Sequence, residues 1–190
     1  MRGLADIANL LETHPDLRRL LGHVESLALP DGWIGAGFVR NAVWDALHGR
    51  RPDPYRLNDI DVVFFDPTDS RADRYRELES RLRDLDGTLS WSVKNQARMH
   101  LRNGDGPYRD TADAIAHWPE TATAVAARLV QGRVEIIAPC GADDLLACIV
   151  RPTPAFRTKT AVYRERLAAK DWPRRWPGVT ILCEDSLPKE

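Results

Sequence analysis

The sequence has 190 residues, 43% of them hydrophobic and 29% charged, with a formal net charge of −1. That length suits a single domain with its own core, and the near-neutral balance excludes a protein drawn to nucleic acid by bulk positive charge, leaving only local patches to do so. No run of ~18 apolar residues and no apolar leader core is found, so no membrane partner is expected and the cytoplasm is the expected compartment. Three cysteines, Cys140, Cys148 and Cys183, lack C-x-x-C spacing and fit buried or incidental thiols. The five histidines show no ligand spacing, so no zinc site is expected.

In chain order, Leu4, Ile7, Leu10 and Leu11 share one helical face. Pro15 suits the first turn of a second helix, with Thr13 or His14 in its cap region and Leu17, Leu20, Leu21 and Val24 as its stripe. These N-terminal helices, residues 1–28, read as packing elements, and Leu29 to Gly32 as a turn. Trp33 and Ile34 make a short strand, and Gly35, Ala36 and Gly37 a small-residue turn. A helix follows with Val39, Ala42, Val43, Ala46 and Leu47 on its buried face, ended by Gly49. A polar loop carrying Arg50, Arg51 and Arg56 leads to Asp59, Ile60 and Asp61, which open the apolar run of Val62 to Phe65. Alternate strand residues share a face, so Asp59 and Asp61 project together. Adjacent carboxylates repel unless a cation lies between them, and hard oxygen ligands suit Mg²⁺. The Gly35–Gly37 turn lets a phosphate approach the N–H groups of the next helix.

Further on, Asp69 or Ser70 is placed to cap a helix over 71–86, with Tyr75, Leu78, Leu82 and Leu85 buried. Leu89 to Leu101 alternates as a strand. Asn95, polar on its apolar parity, must find partners there and is a site candidate. A helix is expected within 108–118. Residues 121–130 stay open between helix and strand, with Thr121 and Thr123 as candidate contacts to sugar or phosphate or as capping residues. Arg133 to Ala138 is a strand bearing one acid, Glu135. Asp143 and Asp144 sit in the first turn of a helix over 142–150, where the helix dipole favours acids. Residues 152–190 hold a basic helix with Phe156, Thr160, Tyr163 and Leu167 as its stripe; Arg157, Lys159, Arg164, Arg166 and Lys170 around it read as solvated charges or as contacts to an acceptor's phosphates. Asp171 to Pro177 has two Trp-Pro pairs flanking two arginines, read as a rigid packing segment laid over the sheet.

The motifs Ala36-Gly37-Phe38-Val39-Arg40-Asn41 and Asp59-Ile60-Asp61 resemble the G-[GS]…D-h-[DE] signature of the DNA polymerase β-like nucleotidyltransferase superfamily. The turn and helix are similar to the opening of the tRNA nucleotidyltransferase and poly(A) polymerase head. GAGFVRNAVWD, NDIDVVFFD, WSVKNQARMH, TATAVAARL and IIAPCGADDLL together resemble a bacterial family of nucleotidyltransferases over roughly residues 20 to 180. The resemblance implies an α/β fold, a mixed sheet flanked by helices.

It also implies transfer of a nucleoside monophosphate from an NTP to the hydroxyl of an acceptor. Asp59 and Asp61 would hold Mg²⁺ or Mn²⁺. Gly35, Ala36, Gly37, Arg40, Asn41, Lys94 and Asn95 would serve the nucleotide, with Asn41 standing where related heads have aspartate. The superfamily's third strand usually adds a third carboxylate, which this strand lacks; Glu135 is the candidate substitute, or else a solvent-facing partner of an arginine. The alternative is a catalytically degenerate binding protein or an antitoxin-type partner. The acceptor is left open.

Overall fold

The computed structural model describes residues 1–69, 71 and 73–182; Ser70 and Cys183 lie outside them. Helix α1 (Leu4–Thr13) buries Ile7 and Leu11. Helix α2 (Pro15–Glu25) starts on its proline, and the side chain of His14 accepts from the Leu17 N–H, so His14 is the cap. A sheet follows from β1 (Trp33–Gly35), β2 (Ile60–Phe64), β3 (Trp91–Asn95), β4 (Ala126–Val130) and β5 (Arg133–Ile137), ordered β3-β2-β1-β4-β5. Within this sheet β2 and β3 run parallel and the other described pairs antiparallel. A parallel pair needs a crossover, which α4 (Asp73–Leu85) supplies, burying Leu78 and Leu82. The sheet is therefore mixed, as expected.

Alternation along the strands divides the core. Ile34 and Val62 pair in register and belong to the large cluster that takes in α1, α2 and α3 (Gly37–Leu47). Trp33 and Val63, also paired, belong to a smaller cluster with Ile115, Ala124 and Ala126, against which Trp118 packs. Ile115 comes from α6 (Thr111–Ala116), whose cap is Asp110. Residues 126–130 form a strand because Gln131 and Gly132 both take positive φ, 49° and 81°, closing a hairpin onto β5.

Three expected elements are shorter than their patterns. The strand over 89–101 ends at Asn95, whose side chain caps Ala97; Gln96 to Arg98 is a 3₁₀ turn and Met99–Asn103 is helix α5. Leu101 is 76% exposed, so the alternation beyond Asn95 marks no core face. The helix over 142–150 is only α7 (Asp143–Leu146). Cys148 turns the chain with φ 55°, and β6 (Ile149–Val150) pairs with β7 (Thr180–Ile181). The basic helix is α8 (Thr160–Lys170), followed after Asp171 by the short α9 (Trp172–Arg175). The Trp-Pro segment packs, but on α3 more than on the sheet: Trp172 and Trp176 meet Trp44 edge-on, at centroid distances of 6.0 and 5.2 Å. Burial raises the thiols of Cys140 and Cys148 above the usual range, with Asp144 adding to it at Cys140. Among the described residues no helix is long and apolar enough to cross a membrane.

Candidate active site

A cleft of about 340 Å³ opens where the start of α3, the entry to β2 and the last two helices meet. Asp59, just before β2, and Asp61, on it, both line this cleft. Burial, and then the neighbouring Asp59 carboxylate, raise the Asp61 carboxyl to about 6; Lys170, Arg40 and Arg166 pull the other way. The donor set fits a hard divalent cation: two oxygen acids crowded into one wall, one of them pushed toward its neutral form by burial and by the other's charge. Among the described residues no third His, Cys, Asp or Glu completes a metal-holding group. Any further coordination would fall to phosphate oxygens and water.

Five cationic side chains line the same cleft: Arg40, Arg56, Arg166, Lys170 and Arg175. Arg40 is buried between the Trp44 and Trp172 rings, 5.5 and 5.0 Å from their centroids. It donates to Thr123 Oγ1 at 3.0 Å and Asn41 Oδ1 at 2.9 Å, and its buried Nε has no partner. Burial lowers its guanidinium to about 10, Glu120 opposing. Lys170 is lowered by burial and then by Arg166 and Arg40. The C-terminal cations are anchored from behind. Arg166 grips the fully buried Glu120 through both carboxylate oxygens. Arg175 lies 3.4 Å from Asp45 Oδ2, whose other oxygen accepts from Trp176 Nε1 at 2.8 Å.

Ala36 follows β1 and caps α3 with φ 50° and ψ −117°, a conformation that costs a non-glycine residue ~1–3 kcal/mol. Its N–H donates to the Val125 carbonyl, and no side chain caps the helix. The first turn of α3 therefore presents N–H groups and the positive end of the helix dipole to the cleft. Gly37 lines the cleft, where a Cβ would come within 3.2 Å of Leu57 Cδ2 and 3.5 Å of Arg40 Nη2.

Of the residues singled out from the sequence, Ala36, Gly37, Arg40, Asn41, Asp59 and Asp61 come together here. Four stand elsewhere. Gly35 is glycine for packing: a Cβ would sit 2.4 Å from Trp118 Cη2. Lys94 lies 3.6 Å from Glu79. Asn95 is fully buried, and its amide is spent on Asp66 N–H and C=O, Asp69 C=O and Ala97 N–H, tying the loop after β2. Glu135 sits on the edge strand, opposite Arg128 on β4, with 2.7 Å between its Oε2 and Arg128 Nη2. Its alternation matched a site acid, but β4 and β1 separate it from β2, so it does not replace the missing third carboxylate.

Sequence reasoning passed over Glu120 and gave Arg166, Lys170 and Arg175 no place in the nucleotide site. Arg166 and Lys170 were visible only as charges around a helix stripe, and their i, i+4 spacing was the available signal. Of the loop arginines, Arg56 reaches the cleft, while Arg51 meets His14. Thr123 serves Arg40, and Thr121 donates to Asp144.

Comparison with known proteins bears on the fold and the family. The solved structure described as "The NMR structure of the protein reveals a CCA-adding enzyme head domain" is 34% identical and superposes with a TM-score of 0.83, covering 94% of this chain and 95% of that one. The Thermotoga maritima CCA-adding enzyme complexed with tRNA (19% identity, TM-score 0.57) and a CCA-adding enzyme complexed with CTP (17%, 0.57) share the fold. Each is covered over 97% of this chain but only 43% and 44% of its own length, so this chain spans less than half of either enzyme. No curated protein sequence matches. The family model described as nucleotidyltransferase matches residues 22–181, and the chain belongs to that family.

Proposed function

We propose that this protein transfers a nucleoside monophosphate from an NTP to a hydroxyl acceptor, with Mg²⁺ or Mn²⁺ held by Asp59 and Asp61. The observation that carries this reading is the pairing of those carboxylates with five cations and an uncapped helix start in one cleft. A triphosphate is the ligand whose charge answers both halves: its oxygens suit the arginines and the α3 N–H groups, and they complete a divalent ion's shell. When bound, the metal would neutralise phosphate charge and make the acceptor hydroxyl easier to deprotonate.

The chain's own residues do the rest. The first turn of α3 receives phosphate oxygens, and Arg40, braced by Thr123 and Asn41, directs charge there from a buried position. Arg166 and Arg175, fixed by Glu120 and Asp45, face the pyrophosphate as it leaves. Asn41 orients Arg40 rather than carrying charge. Trp172 and Trp176 are 3% and 1% exposed, so they offer no face to a base and wall the cleft instead.

An RNA 3′ hydroxyl is one acceptor class to test, because a CCA-adding enzyme of this fold has been complexed with tRNA. Small alcohols are the other. Calorimetry with a non-hydrolysable NTP, with and without Mg²⁺ or Mn²⁺, tests the site first. Metal-dependent binding that disappears in Asp61→Asn is the expected result; binding indifferent to metal and to that substitution overturns the reading. Label transfer from α-labelled NTP to tRNA or to small alcohols then separates a transferase from a protein that binds nucleotide without turnover.

A further inference from the structure

A second cavity of about 660 Å³ shares no lining residue with the cleft. It lies between the turn before β4, the loop after β5, α7 and the segment 151–157. Its walls are largely apolar, formed by Pro139, Pro152 and Pro154 with Ala116 and Ala155. Three cationic or potentially cationic side chains, His117, Arg151 and Arg157, line it against a single acid, Asp144.

That acid is already engaged. Asp144 Oδ2 accepts from Thr121 Oγ1 at 2.6 Å and lies 2.8 Å from Arg151 Nε. The Arg151 Nε is buried against that carboxylate, so it is the terminal guanidinium nitrogens of Arg151 that are left for the cavity. Arg157 makes no ion pair among the described residues. His117 points Nδ1 at the Asp113 carbonyl, 2.8 Å away; a carbonyl only accepts, so Nδ1 carries the proton and Nε2 remains for another partner.

We propose that this cavity binds a small organic oxyanion, a carboxylate or phosphate monoester with a compact apolar body. The oxyanion would meet Arg151 and Arg157, whose planar donor forks match it, and the apolar part would rest on the prolines. The occupant would touch Thr121, the residue after Glu120, which holds Arg166 at the cleft. Binding here does not depend on the transferase reading.

The test is a two-dimensional ¹⁵N–¹H NMR titration of the full chain with phenyl phosphate and, separately, benzoate. Saturable shifts at the amides of His117, Thr121, Asp144 and Arg151 are expected with at least one probe. Which probe acts distinguishes phosphate from carboxylate. Arg157→Gln changes an exposed side chain and leaves the fold intact; it should weaken binding about tenfold, as loss of a charge-assisted contact does. Arg151→Gln should do the same, and if that variant fails to fold, Arg157→Gln alone decides. The proposal is overturned by non-saturating shifts, by shifts confined to Gly37–Asp61, or by equal affinity in wild type and Arg157→Gln.

Discussion

Glu120 and Arg166 form a two-point ion pair in which the carboxylate has no exposed surface and the guanidinium borders the cleft. They come from the turn before β4 and from α8, so one contact both docks the C-terminal helix and aims a cation at Asp59 and Asp61. Its energy and its function can be separated experimentally.

Removing one partner of a buried pair strands the other charge. Glu120→Gln should lower unfolding free energy by about 3 kcal/mol in urea titrations, and Arg166→Met by at least as much. The double variant Glu120→Met with Arg166→Met should recover most of that loss, because two apolar chains replace two desolvated charges, yet it should bind NTP more weakly. A single Glu120→Gln change costing under about 1 kcal/mol would show that the pair is not isolated from water.

Asp61 gives a pH signature. Its carboxyl is raised from 3.8 to about 6 in the folded chain, so between those values the folded state holds more protons than the unfolded state. Stability therefore falls as pH rises through that window, by up to about 3 kcal/mol. Asp61→Asn lacks this term. It should be more stable than wild type above pH ~6 and converge with it below pH ~4. Mg²⁺ should stabilise wild type at neutral pH and leave Asp61→Asn unmoved. Parallel stability–pH curves for the two proteins would refute the assignment.

The turn before α3 predicts opposite signs at neighbouring positions. Ala36→Gly relieves a positive φ of 50° and should raise the melting temperature or leave it level. Gly35→Ala drives a methyl to within 2.4 Å of the Trp118 ring and should destabilise by about 1–3 kcal/mol. Thermal unfolding by circular dichroism reads both, and a stabilising Gly35→Ala would contradict the packing role.

Trp176→Phe keeps a ring against Trp44 but loses the indole bond to Asp45. The expected loss is about 1.5–3 kcal/mol, as for a hydrogen bond to a charged group. NTP affinity should fall with it, since Asp45 would then hold Arg175 alone. Unaltered stability and affinity would mean that the C-terminal segment docks without this contact.

Local pattern carried the sequence reading a long way. The period of Val39, Ala42 and Val43, and Asp61 alternating with Ile60 and Val62, placed α3 and β2, and with them half of the cleft. Its failures share a physical form. Asn95 and Glu135 were judged by alternation alone, which states the parity of a side chain but not which strands stand between two residues. The alternation past Asn95 continued through Ala97 and Met99, while the Asn95 amide was already diverting the backbone into a turn. Arg166, Lys170 and Arg175 could be read only as members of a basic helix and a Trp-Pro segment, because what brings them to Asp61 is a set of long-range contacts, Glu120 with Arg166 and Asp45 with Trp176, that local spacing does not record.

Those contacts also set an order of events during synthesis. The aspartates and the α3 turn leave the ribosome before Arg175 and Trp176, which reach Asp45 across 130 and 131 residues of sequence. A nascent chain that has folded its sheet but not yet released the Trp-Pro segment has its acids in place without the three C-terminal cations beside them. Nucleotide retention by the growing polypeptide should therefore begin only when that segment closes on α3, after the sheet has formed.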